Sequence, residues 1–125
     1  MIAFDRNVLI YFLQDSPEYG NKAEVIFRNI NLNGGVCSAI AITETMFGTI
    51  DSLDKITPLS SPMIKISPLT ANIAASAGRL KISHKLSNAD AIHVATAIEA
   101  GAEVFITNDK FILKKKIPGI KIRGL

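Results

Sequence analysis

Short apolar runs alternate with helix-period segments along the whole chain, and that rhythm constrains the fold more than any other feature. Ile2-Ala3-Phe4 reads as a strand ended by Asp5, and Asn7 to Leu13 as a helix. Pro17-Glu18 opens a second helix running to about Asn29. Asn33-Gly34-Gly35 turns into a second strand, Val36-Cys37-Ser38. Ile42, Met46, Phe47 and Ile50 recur at helical spacing, which predicts a helix from Ile40 to about Leu53. Proline and serine between Thr57 and Pro68 mark a loop around a short strand, Ile64-Lys65-Ile66. Thr70 starts a helix through Leu80, and Ser87-Asn88 caps another ending at Gly101. Glu103 to Thr107 is a fourth strand, Phe111 to Lys116 a short helix, and Ile120 to Ile122 a last strand after Pro118-Gly119. Parallel neighbours need helical crossovers, so this order predicts an α/β fold with a parallel sheet of about four to five strands and helices on both faces. The helix from Asn88 to Ala100 has almost no polar stripe and should be largely buried. With 125 residues there is room for one domain, 1–125.

Composition narrows the setting. A mean hydropathy of +0.28 is high for a small monomer and points to an apolar interface with a partner or a second copy. The single cysteine, Cys37, excludes a disulfide within the chain and fits a reducing cytosol, with the thiol packed in the core. No apolar run reaches membrane-spanning length, and the first residues lack the basic and small-residue pattern of a secretion signal, so a cytoplasmic protein without membrane contact is expected. The net charge of +3 is unevenly spread. Six basic residues and no acid follow Asp109, leaving the first 109 residues with eight basic and eleven acidic side chains, a net of −3. An acidic body with a basic terminal segment suits a protein that holds cations and approaches a polyanion; a solvated basic helix is the plainer reading of the same residues.

Sites in open α/β sheets lie beyond the carboxyl ends of the strands, and acids recur there. Asp5 follows the first strand, Glu44 lies in the helix launched by the second, Asp90 sits in the opening turn of the buried helix, and Asp109 follows the fourth strand after Thr107-Asn108. Each has an ordinary explanation: Asp5 and Asp109 as helix caps, Asp90 as a complement to its helix dipole, Glu44 as a surface residue. Together they form a set of carboxylates that would repel one another in a partly dry cleft unless a cation joined them. An all-oxygen acidic set selects a hard divalent ion, Mg²⁺ or Mn²⁺, over zinc. The chain has no phosphate-binding glycine loop of either common type and no serine nucleophile elbow. Carboxylates that hold an ion beside a basic rim of Lys114, Lys115 and Lys116 point to phosphodiester hydrolysis.

Four stretches then resemble, in order, the motifs of one family. Phe4-Asp5-Arg6-Asn7-Val8-Leu9-Ile10 resembles the opening motif of the PIN-domain ribonucleases, and Ser38 through Glu44 their second. Asn88 to Ala97 resembles the third, and Val104-Phe105-Ile106-Thr107-Asn108-Asp109 the closing one. The match spans nearly the whole chain, whose length is that of the VapC-type toxins of prokaryotic type II toxin–antitoxin pairs. The resemblance implies a twisted parallel sheet flanked by helices, a Mg²⁺- or Mn²⁺-dependent endoribonuclease leaving a 5′-phosphate and a 3′-hydroxyl, a cognate antitoxin and a homodimer. By the same resemblance Asp5, Glu44, Asp90 and Asp109 are the catalytic and metal-binding quartet, with Asn7 and Thr107 as polar supports. The sequence departs from the family at Arg6, where a small hydroxyl residue is usual. A guanidinium there can grip an RNA phosphate together with Lys114, Lys115 and Lys116, face solvent, or weaken ion binding by repulsion.

Other readings stay open. His93, three residues after Asp90, shares its helix face; a packed core histidine is favoured over a catalytic or supporting one, because the helix is apolar nearly all round. Tyr11, Phe12, Ile26 and Phe27 form either core or an apolar face for a second copy or an antitoxin helix. A catalytically degenerate PIN-fold binding module is the main alternative function, supported by Arg6. A haloacid-dehalogenase-type phosphatase is a weaker one, because that chemistry needs a titrating acid where Asn7 stands.

Overall fold

Five strands form one sheet in the computed structural model, which describes residues 1–125. They are β1 (Ile2–Phe4), β2 (Gly35–Ser38), β3 (Ile64–Ser67), β4 (Val104–Ile106) and β5 (Lys121–Arg123). The order is β3-β2-β1-β4-β5 and every neighbouring pair is parallel. Six helices connect them: α1 (Arg6–Leu13), α2 (Gly20–Asn33), α3 (Ile40–Thr45), α4 (Ala71–His84), α5 (Asn88–Glu99) and α6 (Lys110–Leu113). No helix is long and apolar enough to cross a membrane.

The central strands β1, β2 and β4 carry no amphipathic alternation because both faces of the sheet are covered there, whereas edge strands β3 and β5 expose Lys65, Lys121 and Arg123. Successive side chains still go to opposite sides. Ile2, Phe4, Cys37 and Ile106 join Val8, Leu9, Ala23, Phe27, Ile30 and Ala41 of α1, α2 and α3 in one core. Ala3, Val36 and Phe105 join Ile73, Ala77, Ala91, Val94 and Ala95 of α4 and α5 in the other. Each large buried side chain contributes about 1.5–3 kcal/mol of burial, so the sheet is held from both sides at once. As expected, α5 is buried along its inner length, through Ala91, His93, Val94, Ala95, Thr96 and Ala97. The aromatic cluster proves to be core: Phe12 and Phe4 both meet Phe27 edge-on, with ring centres 5.3 and 5.4 Å away. Tyr11 stacks on Tyr19 at 4.8 Å.

Several boundaries differ from the sequence reading, each for a local reason. The helix expected to reach Leu53 ends at Thr45. There Met46 turns extended, Gly48 takes φ +56° and Phe47 bridges to Ile50. The apolar residues whose spacing imitates a helix therefore fold over a tight turn, followed by short 3-10 turns at Leu53–Lys55 and Thr57–Ser60. Helix α2 starts at Gly20, because Ser16 accepts from the Tyr19 and Gly20 amides and holds Pro17-Glu18 in a turn. It continues to Asn33, where Gly34 at φ +87° ends it. Helix α4 runs one turn past Leu80, to His84, and stops at Lys85 in the left-handed region. Helix α6 is shorter than expected and ends before Lys114.

Gly35 opens β2 where that strand passes beneath α2. A Cβ there would lie 2.6 Å from Ile30 Cγ2, a branch point with little freedom to move. Gly35→Ala should lower stability by about 1–3 kcal/mol in urea unfolding. Gly78→Ala, inside α4 with no atom in the way, should raise it by about 0.5–1 kcal/mol.

Candidate active site

The chain leaves β1 for β2 and β3 on one side, and later returns to β4 on the other. Loops therefore diverge above the β1–β4 pair, opening the kind of crevice in which α/β proteins place their sites. Asp5 stands at its floor. Its amide donates to Ile106 O at 3.3 Å, which continues the β1–β4 ladder by one residue. The side chain caps α1: Oδ1 accepts from the Asn7 amide at 2.9 Å, while Oδ2 accepts from the Thr107 hydroxyl. Thr107, fully buried, accepts in turn from the Asp109 amide at 3.0 Å, and Asp109 Oδ1 accepts from the Phe111 amide at 2.8 Å to cap α6. One hydroxyl thus ties the acid after β1 to the acid after β4. Asn7 acts on Asp5 through its backbone amide, as a support of the kind expected.

Glu44 is not the free surface residue that its position on a short helix permits. Its Oε2 pairs with Arg6 Nη1 across the crevice, and its Oε1 lies 2.5 Å from His93 Nε2. His93 is buried on α5, and its second ring nitrogen, Nδ1, has no hydrogen-bond partner. Core packing of the histidine, favoured from the sequence, is half of the answer: it is buried, and it also holds an acid. Its position one turn after Asp90 was the available signal.

The charges in the crevice act on one another. Burial raises the Asp5 carboxyl above the ordinary carboxylate value, against the Thr107 hydrogen bond and the positive charges of His93 and Arg6. Burial raises Asp90 as well; its Ser87 hydrogen bond opposes this, and the charges of Asp109 and Glu44 add to it. For Glu44, burial works upward but is outweighed by His93 and Arg6, which lower it. Asp90 thus faces two like charges that a shared cation would neutralise, and all four donors are carboxylate oxygens, the kind a hard divalent ion selects. In donor chemistry the residues fit such an ion. No three of the acidic and histidine side chains converge within coordination distance of a common point, and Glu44 is committed to its two basic partners.

The basic segment lies elsewhere than expected. Because α6 spans only four residues, Lys115 and Lys116 fall past it and, with Lys121 and Arg123, line a groove of about 1130 Å³ along edge strand β5. None of the four acids lines that groove, and Lys114 is exposed outside it. The basic residue that does face the acids is Arg6.

The family model of the PIN domain matches residues 2–116. No curated protein has a detectably similar sequence. Among solved structures, the chain is similar to a toxin–antitoxin complex from Klebsiella pneumoniae, at 26% identity over 96% of this chain and 95% of that one, with a TM-score of 0.69. It also resembles VapBC2 from Rickettsia felis bound to a DNA fragment from its promoter, at 20% identity over 99% and 98% of the two chains and a TM-score of 0.70. Mycobacterium tuberculosis VapC20, a toxin that cleaves the sarcin-ricin loop, matches at 13% identity over 94% and 97%, with a TM-score of 0.72. The last two likenesses show the fold.

Asp5 performs a cap and endures a buried charge at once, and substitution separates the two. Asparagine is as good a cap and carries no charge, so Asp5→Asn should melt no lower than the wild type without added metal. Asp5→Ala removes the cap and strands the Thr107 hydroxyl, costing about 1–3 kcal/mol. Because the Asp5 pKa is raised, its ionised form is the costly one in the folded protein. Any advantage of Asp5→Asn should accordingly shrink as pH falls through that titration, when wild-type Asp5 takes up its proton.

Proposed function

The chain belongs to the PIN-domain family, and from that premise we propose that it is a divalent-metal-dependent endoribonuclease, acting as the VapC-like toxin of a type II toxin–antitoxin pair. The observation that carries this reading is the joining of Asp5, Thr107 and Asp109 at the β1–β4 switch point, with Asp90 and Glu44 acting electrostatically on the same crevice. Asp5, Asp90, Asp109 and Glu44 would hold Mg²⁺ or Mn²⁺, which when bound supplies charge neutralisation at the scissile phosphate and activation of water.

The chain's own residues prepare that step. Asn7 and Thr107 fix the rotamer of Asp5, so one ligand is set before any ion arrives. His93 anchors Glu44 from the buried side, and the Ser87 cap fixes the first turn of α5, where Asp90 sits. Arg6 and the lysines 114–116 supply cations for the RNA backbone, Lys115 and Lys116 from the β5 groove rather than from the rim of the acids. Exposed Leu32, Ile82 and Phe111 offer apolar surface to an antitoxin and to a second copy in a homodimer. The Klebsiella structure, a toxin–antitoxin complex, supports the antitoxin partner. A binding module without catalysis is the second reading; the engagement of Glu44 by Arg6 favours it.

Incubation of mixed cellular RNA with the protein should give cleavage in Mg²⁺ or Mn²⁺ and none with chelator. Asp90→Asn, which should fold normally, should lower the rate at least ~100-fold. Uncleaved RNA under every metal condition would leave the binding module standing. The metal-dependent rate should also fall as pH is lowered through the raised titrations of Asp5 and Asp90, because protons then occupy ion-binding oxygens.

A further inference from the structure

The cation nearest the acidic crevice is one of the chain's own. Arg6 opens α1 directly after Asp5, and its guanidinium reaches a glutamate 38 residues away, at Oε2 of Glu44. The other oxygen of Glu44 is held by His93 Nε2, so neither oxygen is left without a basic partner. These two partners differ in their freedom to leave. His93 is locked inside α5, with its side chain 2% exposed. The Arg6 side chain is 44% exposed, while Glu44 is 17% exposed, so the guanidinium can swing into solvent without burying a charge. Its positive charge also acts on Asp5, the most deeply buried of the four acids. Arg6 therefore bears on two of the four acids, on Glu44 by contact and on Asp5 through its charge.

Resting on the reading of Glu44 as an ion ligand, we propose that Arg6 is a built-in competitor for the divalent cation. The guanidinium and the ion exclude each other at Glu44 Oε2, and ion binding turns Arg6 out to the crevice mouth, where it can meet an RNA phosphate. A partly exposed ion pair is weak enough for a divalent ion to displace, yet strong enough to lower the apparent affinity for that ion. Arg6 is thus a positioning residue, acting through Glu44.

Calorimetric titration of the full chain with Mn²⁺ tests this directly, without reference to cleavage. Arg6→Gln should bind Mn²⁺ about threefold to tenfold more tightly than the wild type, while Arg6→Lys, which keeps the charge, stays within about twofold of it. Glu44→Gln should bind more weakly, and adding Arg6→Gln to it should bring a clearly smaller gain than in the wild type, because the competed oxygen no longer carries charge and only the longer-range effect of Arg6 on Asp5 is left. Melting curves without metal establish that each variant is folded. An Arg6→Gln protein that binds Mn²⁺ no better than wild type overturns the proposal, as does a gain that is undiminished beside Glu44→Gln. Absence of Mn²⁺ binding at millimolar concentration in every variant removes the ion site itself, and the competition with it; binding by the wild type with no gain in Arg6→Gln removes only the competition.

Discussion

A carboxylate buried at the carboxyl end of the central strand is the constraint around which this structure is arranged. Asp5 lies where β1 passes into α1, with β4 alongside, and removing its charge from water is unfavourable. The structure offsets that cost with three kinds of partner: the Asn7 amide, the Thr107 hydroxyl and, at longer range, the charges of His93 and Arg6. Arg6 and Asn7 come from α1 itself, but Thr107 follows β4 and His93 lies on α5. The fold must bring β1, β4 and α5 together before the acid is tolerable, so the site and the sheet are stabilised as one unit.

The same economy recurs at the other acids. Asp109 caps α6 and is tied through Thr107 to Asp5, and Asp90 sits in the Ser87-capped first turn of α5. These local duties orient the carboxyl groups with backbone geometry, which is stiffer than a long side chain. Glu44 is the exception. It is the longest of the four acids, on the short helix α3, and its orientation comes from Arg6 and His93 instead. That dependence makes Glu44 the point where the charge state of the crevice can change with least disturbance to the fold.

Much of this was legible from local pattern. Ile2–Phe4, Val36–Ser38 and Glu103–Thr107 read as strands because of their short apolar runs, and the structure has strands at all three, the last trimmed to Val104–Ile106. The near-absence of polar residues in α5 announced its burial. Asp5 and Asp109 showed themselves as caps, and the ordered set of four motifs placed the acids. The helix from Ile40 onward was overextended, because Met46, Phe47 and Ile50 keep helical spacing while Gly48 and the Phe47–Ile50 bridge bend the chain. Sequence proximity to Asp109 suggests that the lysines lie beside the acids, but the early end of α6 carries Lys115 and Lys116 to the β5 groove.

Backbone periodicity, capping and the sites of chain reversal are short-range properties, and the amino-acid order by itself determined them here, with the α/β class and the strand-end positions of the acids as direct consequences. Tertiary structure alone decided the electrostatics. Glu44 meets Arg6 across 38 residues and His93 across 49, and Thr107 meets Asp5 across 102. No window of sequence contains those pairs; they exist because parallel strands, joined by crossovers, bring distant segments to the carboxyl end of the sheet, where side chains a few ångströms apart in low dielectric set each other's charge.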